Sequence, residues 1–333
     1  MLYFVTGATG FLGSHITKQL LSEGHTVYVL LHKSKSLQLL GLSHKNLIPI
    51  IGDITNQQSF QNVFKKGLDG VFHCASVVSF DKSKESFMYK INVEGTNNIL
   101  DVSLQYGVKK FVYISSVNAL GYPEEGEIGN EQTFYNWENF NIPYMKTKYK
   151  AEKAVLKAFQ KGLNAVIVNP GTMFGAGDIN KHSGEYIIGS YKGILKTYIE
   201  GGFTQCIVKN VAAGALQAMK NGKAGERYIL GGFNYSYKEF FDLIAEVLHT
   251  PKPKIKIPRV FFTIAGYFIY YFDILRFRTP RITPELIKVA PKHLFYSSAK
   301  AIKDLNYNLG TKEDLKKALL EHFLFYKKNS LLN

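Results

Sequence analysis

Three side chains in this sequence are spaced for proton chemistry at an alcohol or carbonyl oxygen: Ser116, Tyr144 and Lys148. Tyr144 and Lys148 stand four apart in PYMKTKYKAE, so on a helix they share one face and reach the same cleft. A free phenol, with a pKa near ~10, is a poor base at neutral pH. An ammonium beside it stabilises the phenolate and lowers that value. Ser116 directly follows the apolar run KFVYIS and precedes Tyr144 by 28 positions, a span that lets its hydroxyl hold the same reacting oxygen. No metal is required. A second Tyr-x-x-x-Lys, Tyr149 with Lys153, competes for the role. The first pair is preferred because Tyr144 follows Ile142-Pro143 at a helix start and heads the fuller pattern Tyr-x-x-Thr-Lys-x-x-Ala-Glu.

Such groups need a scaffold and a redox partner, and the first line of the chain offers both. Leu2 to Val5 reads as a strand, Thr6-Gly7-Ala8-Thr9-Gly10-Phe11-Leu12-Gly13 as a glycine turn, and SHITKQLLSEG as a helix. Gly7 permits a tight turn, Gly10 lets the backbone approach a pyrophosphate, and Gly13 lets helix and strand pack closely. Backbone N–H groups around Phe11, Leu12 and Gly13 then face the phosphates at the positive end of the helix. The reading is a dinucleotide-binding βαβ opening. Oxidised nicotinamide would add positive charge beside Tyr144, and Lys148 could also bond the nicotinamide ribose.

Strands are expected at Thr26–Leu31, 46–51, 69–76, 110–115 and 165–168, separated by helices over 89–105 and from Tyr144 to near Gly162. The end of the second strand bears on cofactor choice, because a carboxylate there binds the ribose hydroxyls of NAD and repels a 2′-phosphate. Leu31 fills that slot, with His32, Lys33 and Lys35 just beyond, so NADP is favoured and NAD remains the alternative. The fold class is α/β, a Rossmann-type doubly wound parallel sheet with a smaller C-terminal lobe. Residues 1–178 plus about 203–231 are assigned to the dinucleotide domain, and about 179–202 plus 232–333 to a substrate lobe. His73 reads as a packed strand residue.

In order, TGATGFLG, GDI, HCAS, NVEGT, ISSVNALG, YMKTKYKAE and NPGTMFGAGD resemble the extended short-chain dehydrogenase/reductases. The dihydroflavonol-4-reductase-like branch is the nearest in flavour, and the likeness runs over nearly the whole chain. The resemblance implies that Asp53 bonds the adenine amine with Ile54 against the ring, and that Ala75 and Ser76 pass under the cofactor ribose. It also implies cofactor contacts for Pro170 and Gly171, a structural hydrogen-bonding role for Asn92, and a possible homodimer. The expected activity is NADP(H)-dependent carbonyl reduction or alcohol oxidation by Tyr144, Lys148 and Ser116. Trp137, Phe174, Phe203 and the run Phe261 to Phe272 point to an apolar or ring-containing substrate. The alternatives are an NAD-dependent sugar-nucleotide epimerase or dehydratase, and a non-catalytic dinucleotide-binding regulatory protein.

Composition narrows the rest. The formal net charge is +15, but its lysines are scattered without a basic block, so a nucleic-acid partner is not expected. The two cysteines have no ligand or redox spacing, and the first strand starts at residue 2 with no leader before it; a cytoplasmic, reducing setting is expected. VFFTIAGYFIYYF, residues 260–272, is too short to span a bilayer. It is expected to be a buried helix or pocket wall, with peripheral membrane contact as the lesser reading.

Overall fold

The computed structural model describes residues 1–32, 41–276, 280 and 282–332, so Lys33 and Lys35 lie outside the described residues. Apolar runs bounded by turn residues form β1 (Leu2–Thr6), β2 (Thr26–Leu31), β3 (Leu47–Ile51), β4 (Gly70–His73), β5 (Phe111–Ile114) and β6 (Ala165–Pro170). Together with β10 (Arg227–Leu230) they make a seven-stranded sheet in the order β10-β6-β5-β4-β1-β2-β3, parallel throughout. Strand order reverses beside β1 and β4, and a ligand crevice opens outside the strand ends at such a switch point.

Alternate side chains of each strand feed two cores, as a sheet covered on both faces requires. Val5, Val29, Phe72 and Val166 pack with α1 (Phe11–Ser22) on one side. Phe4, Tyr28, Val71 and Phe111 face the other side, under a helical stretch made of α2 (Glu85–Tyr89), a π-helical turn (Lys90–Glu94) and α3 (Gly95–Gln105), and under α4 (Pro143–Gln160). The expected helix over 89–105 thus carries an irregular turn at Asn92.

The second layer departs from expectation. β9 (Gly202–Ile207) does not join the large sheet; it pairs with β7 (Thr172–Phe174), β11 (Phe233–Ser236) and β13 (His293–Leu294) in a sheet of its own. All six residues of β9 are buried, so its composition marks a strand without saying which neighbours it has. β8 (Thr197–Tyr198) and β12 (Ile255–Lys256) form a small separate pair. Helices α5 (Glu185–Tyr191), α7 (Tyr237–Leu248) and α11 (Lys312–Lys328) build the core of this lobe around Phe174, Phe203, Phe240 and Leu319, whereas α6 (Val208–Asn221) and α10 (Ala299–Leu305) pack on the large sheet. α8 (Arg259–Leu275) and α9 (Pro284–Val289) lie against each other. The expected burial of α8 is wrong: among its side chains only Gly266 and Asp273 are buried, and Phe268 is 71 % exposed.

The glycine turn shows why side chains are excluded there. Gly7 has φ +66°, and a Cβ on it would stand 2.6 Å from the Ala75 nitrogen. A Cβ on Gly13 would stand 2.1 Å from the Gly7 carbonyl oxygen. Both obstacles are backbone, which cannot rotate away. Gly7→Ala therefore is expected to cost about 2–4 kcal/mol of stability and to weaken dinucleotide binding together. Urea unfolding and cofactor titration of the variant check this; wild-type values in both would contradict it.

Candidate active site

Ser116 follows β5 and caps a short turn, its hydroxyl accepting from the Asn118 N–H at 3.2 Å. Pro143 starts α4, its fixed φ suited to the first turn, and Tyr144 and Lys148 follow on the face turned to the sheet. All three side chains are buried. Burial pushes the Tyr144 phenol up to about 12, outweighing the neighbouring Ser116 hydroxyl, which favours the phenolate. That differs from the expected lowering by lysine. The Lys148 ammonium instead donates to the Ile114 carbonyl at 2.7 Å and lies 4.8 Å from the Tyr113 ring centroid. Burial lowers Lys148 to about 8, while Glu152 and Cys74 pull it back up.

A fixed frame holds these groups. Glu152, fully buried one turn beyond Lys148, pairs with Arg227 Nε at 2.9 Å and accepts from Asn169 Nδ2 at 2.6 Å. The same Asn169 amide donates to the Ser116 carbonyl at 2.9 Å, so β6, β10 and α4 set the serine's position jointly. On the other side Asn92 accepts from the Val77 N–H at 2.7 Å and from Ser76 Oγ at 3.2 Å, and donates to the Val77 carbonyl and to Thr147 Oγ1. Thr147 in turn donates to the Tyr144 carbonyl at 3.0 Å.

His73 is neutral scaffold. Burial, aided by Lys148, lowers it to about 3. The network assigns its tautomer: Ala75 N–H donates to Thr6 Oγ1, whose hydroxyl donates to Nδ1 at 2.6 Å, and Nε2–H donates to Thr96 Oγ1 at 2.9 Å. Tyr149 is occupied elsewhere, stacked on Tyr135 with centroids 3.8 Å apart and the Lys153 ammonium 4.6 Å from its ring centroid.

A cleft of about 580 Å³ runs over the switch point, lined by Thr6, Gly7, Gly10, His32, Asp53, Ile54, Ala75 and Ser76 among others. Such a volume suits an organic cofactor. The residues present fit a dinucleotide: the turn admits no Cβ at Gly7 or Gly13, and the first turn of α1 contains no carboxylate to repel a phosphate. Leu12 is in the core and Phe11 lies edge-on to His15, so these two offer backbone rather than side chains. Leu31 is also buried, and His32 Nε2 lies 3.5 Å from Asp53 Oδ2. Asp53 accepts from the Thr55 N–H and hydroxyl, each at 2.8 Å, and Asn56 caps the following turn. Pro170 ends β6 and Gly171 follows it; a Cβ on Gly171 would come within 2.7 Å of the Thr204 carbonyl, so that glycine answers to packing between the two sheets.

Sequence reasoning missed several groups. Phe87, Ile91, Ile179 and Asn180 also line the cleft, and Phe80 stands edge-on to Tyr144 with centroids 6.1 Å apart. The aromatic residues that were expected to flag a ring-binding pocket serve otherwise: Trp137 is buried and donates to the Leu120 carbonyl at 2.6 Å, and Phe174 and Phe203 are core.

The chain matches a family model described as the NAD dependent epimerase/dehydratase family over residues 3–231. A Synechocystis protein provisionally named a dihydroflavonol 4-reductase is 31% identical over 91% of this chain and 89% of its own. The sterol-4-alpha-carboxylate 3-dehydrogenase, decarboxylating, of mouse is 29% identical over 91% of this chain and 85% of its own. The crystal structure of gox2253 superposes with a TM-score of 0.85 at 29% identity, covering 100% of this chain and 99% of that one. The chain therefore belongs to the NAD-dependent epimerase/dehydratase family, within the extended short-chain dehydrogenase/reductases, and is an NAD(P)-dependent enzyme.

The segment carrying Ile179 and Asn180 is tied down from the C-terminal helix. Asp178 accepts from the N–H groups of His182 and Ser183 and from the Tyr326 hydroxyl at 3.0 Å, with His322 Nε2 at 3.6 Å. Burial alone would raise the Asp178 pKa, but His322 and the backbone donors win and hold it well below the usual carboxylate range. Its contribution to stability is then present above ~4 and is lost as pH falls through the folded value. Asp178→Asn is expected to cost about 2–3 kcal/mol at neutral pH, with the gap to wild type shrinking below pH ~4, and to loosen dinucleotide binding. Unfolding at several pH values measures it; a pH-independent gap would contradict it.

Proposed function

We propose that this enzyme is a carbonyl reductase, or alcohol dehydrogenase in reverse, in which Tyr144 passes the proton and Ser116 and Lys148 position it. The observation that carries the reading is the burial of Ser116, Tyr144 and Lys148 together, with the serine hydroxyl near the phenol and the ammonium one helical turn along α4. In reduction the Tyr144 hydroxyl gives its proton to the forming alkoxide while Ser116 donates a hydrogen bond to the same oxygen. Lys148 keeps a buried ammonium one helical turn from Tyr144, held on the Ile114 carbonyl, where low polarity strengthens its field on charge that develops in the cleft. The cofactor, when bound along the glycine turn, supplies or accepts the hydride equivalent.

The substrate is inferred to be apolar or ring-containing. Phe80 beside Tyr144, and Val77 on the adjoining loop, give the reacting end an apolar wall. The names of the dihydroflavonol and sterol relatives agree with this. NADP is the inferred coenzyme, since the second strand ends in buried Leu31 followed by His32 with no carboxylate of its own. Asp53 leaves NAD as the alternative, because its carboxylate approaches His32 from the neighbouring strand end.

Titration of the purified protein with NADP and NAD, followed by a panel of cyclic ketones and aldehydes, tests the proposal. Net oxidation of NADPH with a ring-containing carbonyl is expected. Tightly retained NAD with no net turnover, and activity on a sugar nucleotide, would establish the epimerase reading instead.

The pH profile has a defined sign. Tyr144 keeps its proton to about pH 12 in the protein's own field, so the alkaline limit in reduction is set by Lys148. Its ammonium is lost as pH rises through about 8. The kcat/KM for reduction should therefore fall with one ionisation near that pH; a level profile two units further would contradict the assignment.

A further inference from the structure

α8 is the one described helix whose outward face is almost wholly apolar. Phe261 is 65 % exposed, Ile264 62 %, Phe268 71 %, Tyr271 58 % and Leu275 78 %. Positions 261, 264, 268, 271 and 275 recur at helical spacing, so they form one stripe on one side. The opposite side is seated on the protein: a Cβ on Gly266 would stand 2.8 Å from Ile287 on α9, and Asp273, the sole carboxylate between 259 and 276, is buried. The stripe therefore carries no exposed negative charge.

Its borders carry more cations than anions. Arg259 and Arg276 bracket the helix and exposed Lys252 and Lys254 precede it, while Lys256 is paired with Glu200 at 3.1 Å and Glu124, Glu125 and Glu200 share a cleft with Arg259. Arg278 and Arg281 follow in the sequence. The Arg276 guanidinium lies 4.3 Å from the Phe272 ring centroid, keeping a cation at the edge of the apolar stripe. Seventeen residues are ~26 Å of helix, and no helix among the described residues is long and apolar enough to cross a membrane. An apolar stripe rimmed by cations, on a helix lying flat against its protein, fits an interface that is greasy within and anionic at its border. A second copy of this chain fits less well, because each copy brings a formal charge of +15.

We propose that α8 docks this enzyme on the surface of an anionic lipid bilayer, with Phe261, Ile264, Phe268 and Leu275 entering the acyl boundary and the flanking arginines and lysines meeting headgroups. The helix lies in the plane of the membrane and does not span it. This holds whatever the substrate.

Co-sedimentation with vesicles of phosphatidylcholine alone, and of phosphatidylcholine with one third phosphatidylglycerol, tests the idea. Wild type should pellet with the anionic vesicles and be released in part by high salt. The combined variant Phe261→Ser, Phe268→Ser and Leu275→Ser should bind at least about tenfold more weakly, with its melting temperature and dinucleotide affinity unchanged. If that variant does not fold, Phe268→Trp gives an independent reading: its emission should shift to the blue on anionic vesicles. Wild type that stays in the supernatant, a folded triple variant that binds as wild type does, or unchanged emission would overturn the proposal. So would a solution dimer that the triple variant dissociates while vesicles capture nothing, since a second copy would then cover the helix.

Discussion

An ammonium in a protein interior is unfavourable unless charge and dipoles surround it, and the placement of Lys148 answers to that requirement. The side chain is 2 % exposed. The Ile114 carbonyl accepts a hydrogen bond from it, the Tyr113 ring faces it, and Glu152 one turn along the helix raises its pKa against the effect of burial. Glu152 is itself buried and needs Arg227 and Asn169. Satisfying one lysine thus fastens α4 to β5, β6 and β10, and Asn169 extends the same network to the Ser116 carbonyl. The geometry that brings Ser116 to Tyr144 is a consequence of that fastening.

A second, neutral network fixes the other half of the crevice. Thr6, His73 and Thr96 form a chain of hydrogen bonds with every donor used, linking the glycine turn to the helical stretch that carries Asn92. Asn92 then spans from the Ser76–Val77 segment to Thr147. The strand end that would lie under the cofactor and the helix start that carries Tyr144 are therefore held in one frame. The irregular turn at Lys90–Glu94 sits at this junction.

Much of this was legible in the residues. The glycine turn, the positions of the first six strands along the chain and the sheet face of α4 follow from local patterns: apolar runs, turn glycines and a proline at a helix start. Contacts between distant segments were not. The π-helical turn has no local signature, since Asn92 is committed to Val77 and Thr147 only in three dimensions. The buried residues of β9 do not specify β7, β11 and β13 as neighbours. Trp137, Phe174 and Phe203 could as well line a pocket as a core, and packing decided for the core. The run at 260–272 looked buried because large apolar residues usually are; α8 leaves Phe268 and Leu275 in the open.

The central claim is that Tyr144 moves the proton, held in place by Ser116 and Lys148. The most direct measurement is a single-turnover comparison of wild type and Tyr144→Phe with saturating reduced coenzyme and a cyclic ketone. The account predicts near-equal coenzyme affinity and a chemical step slower by about a thousandfold or more in the variant. A variant that turns over at the wild-type rate would contradict it.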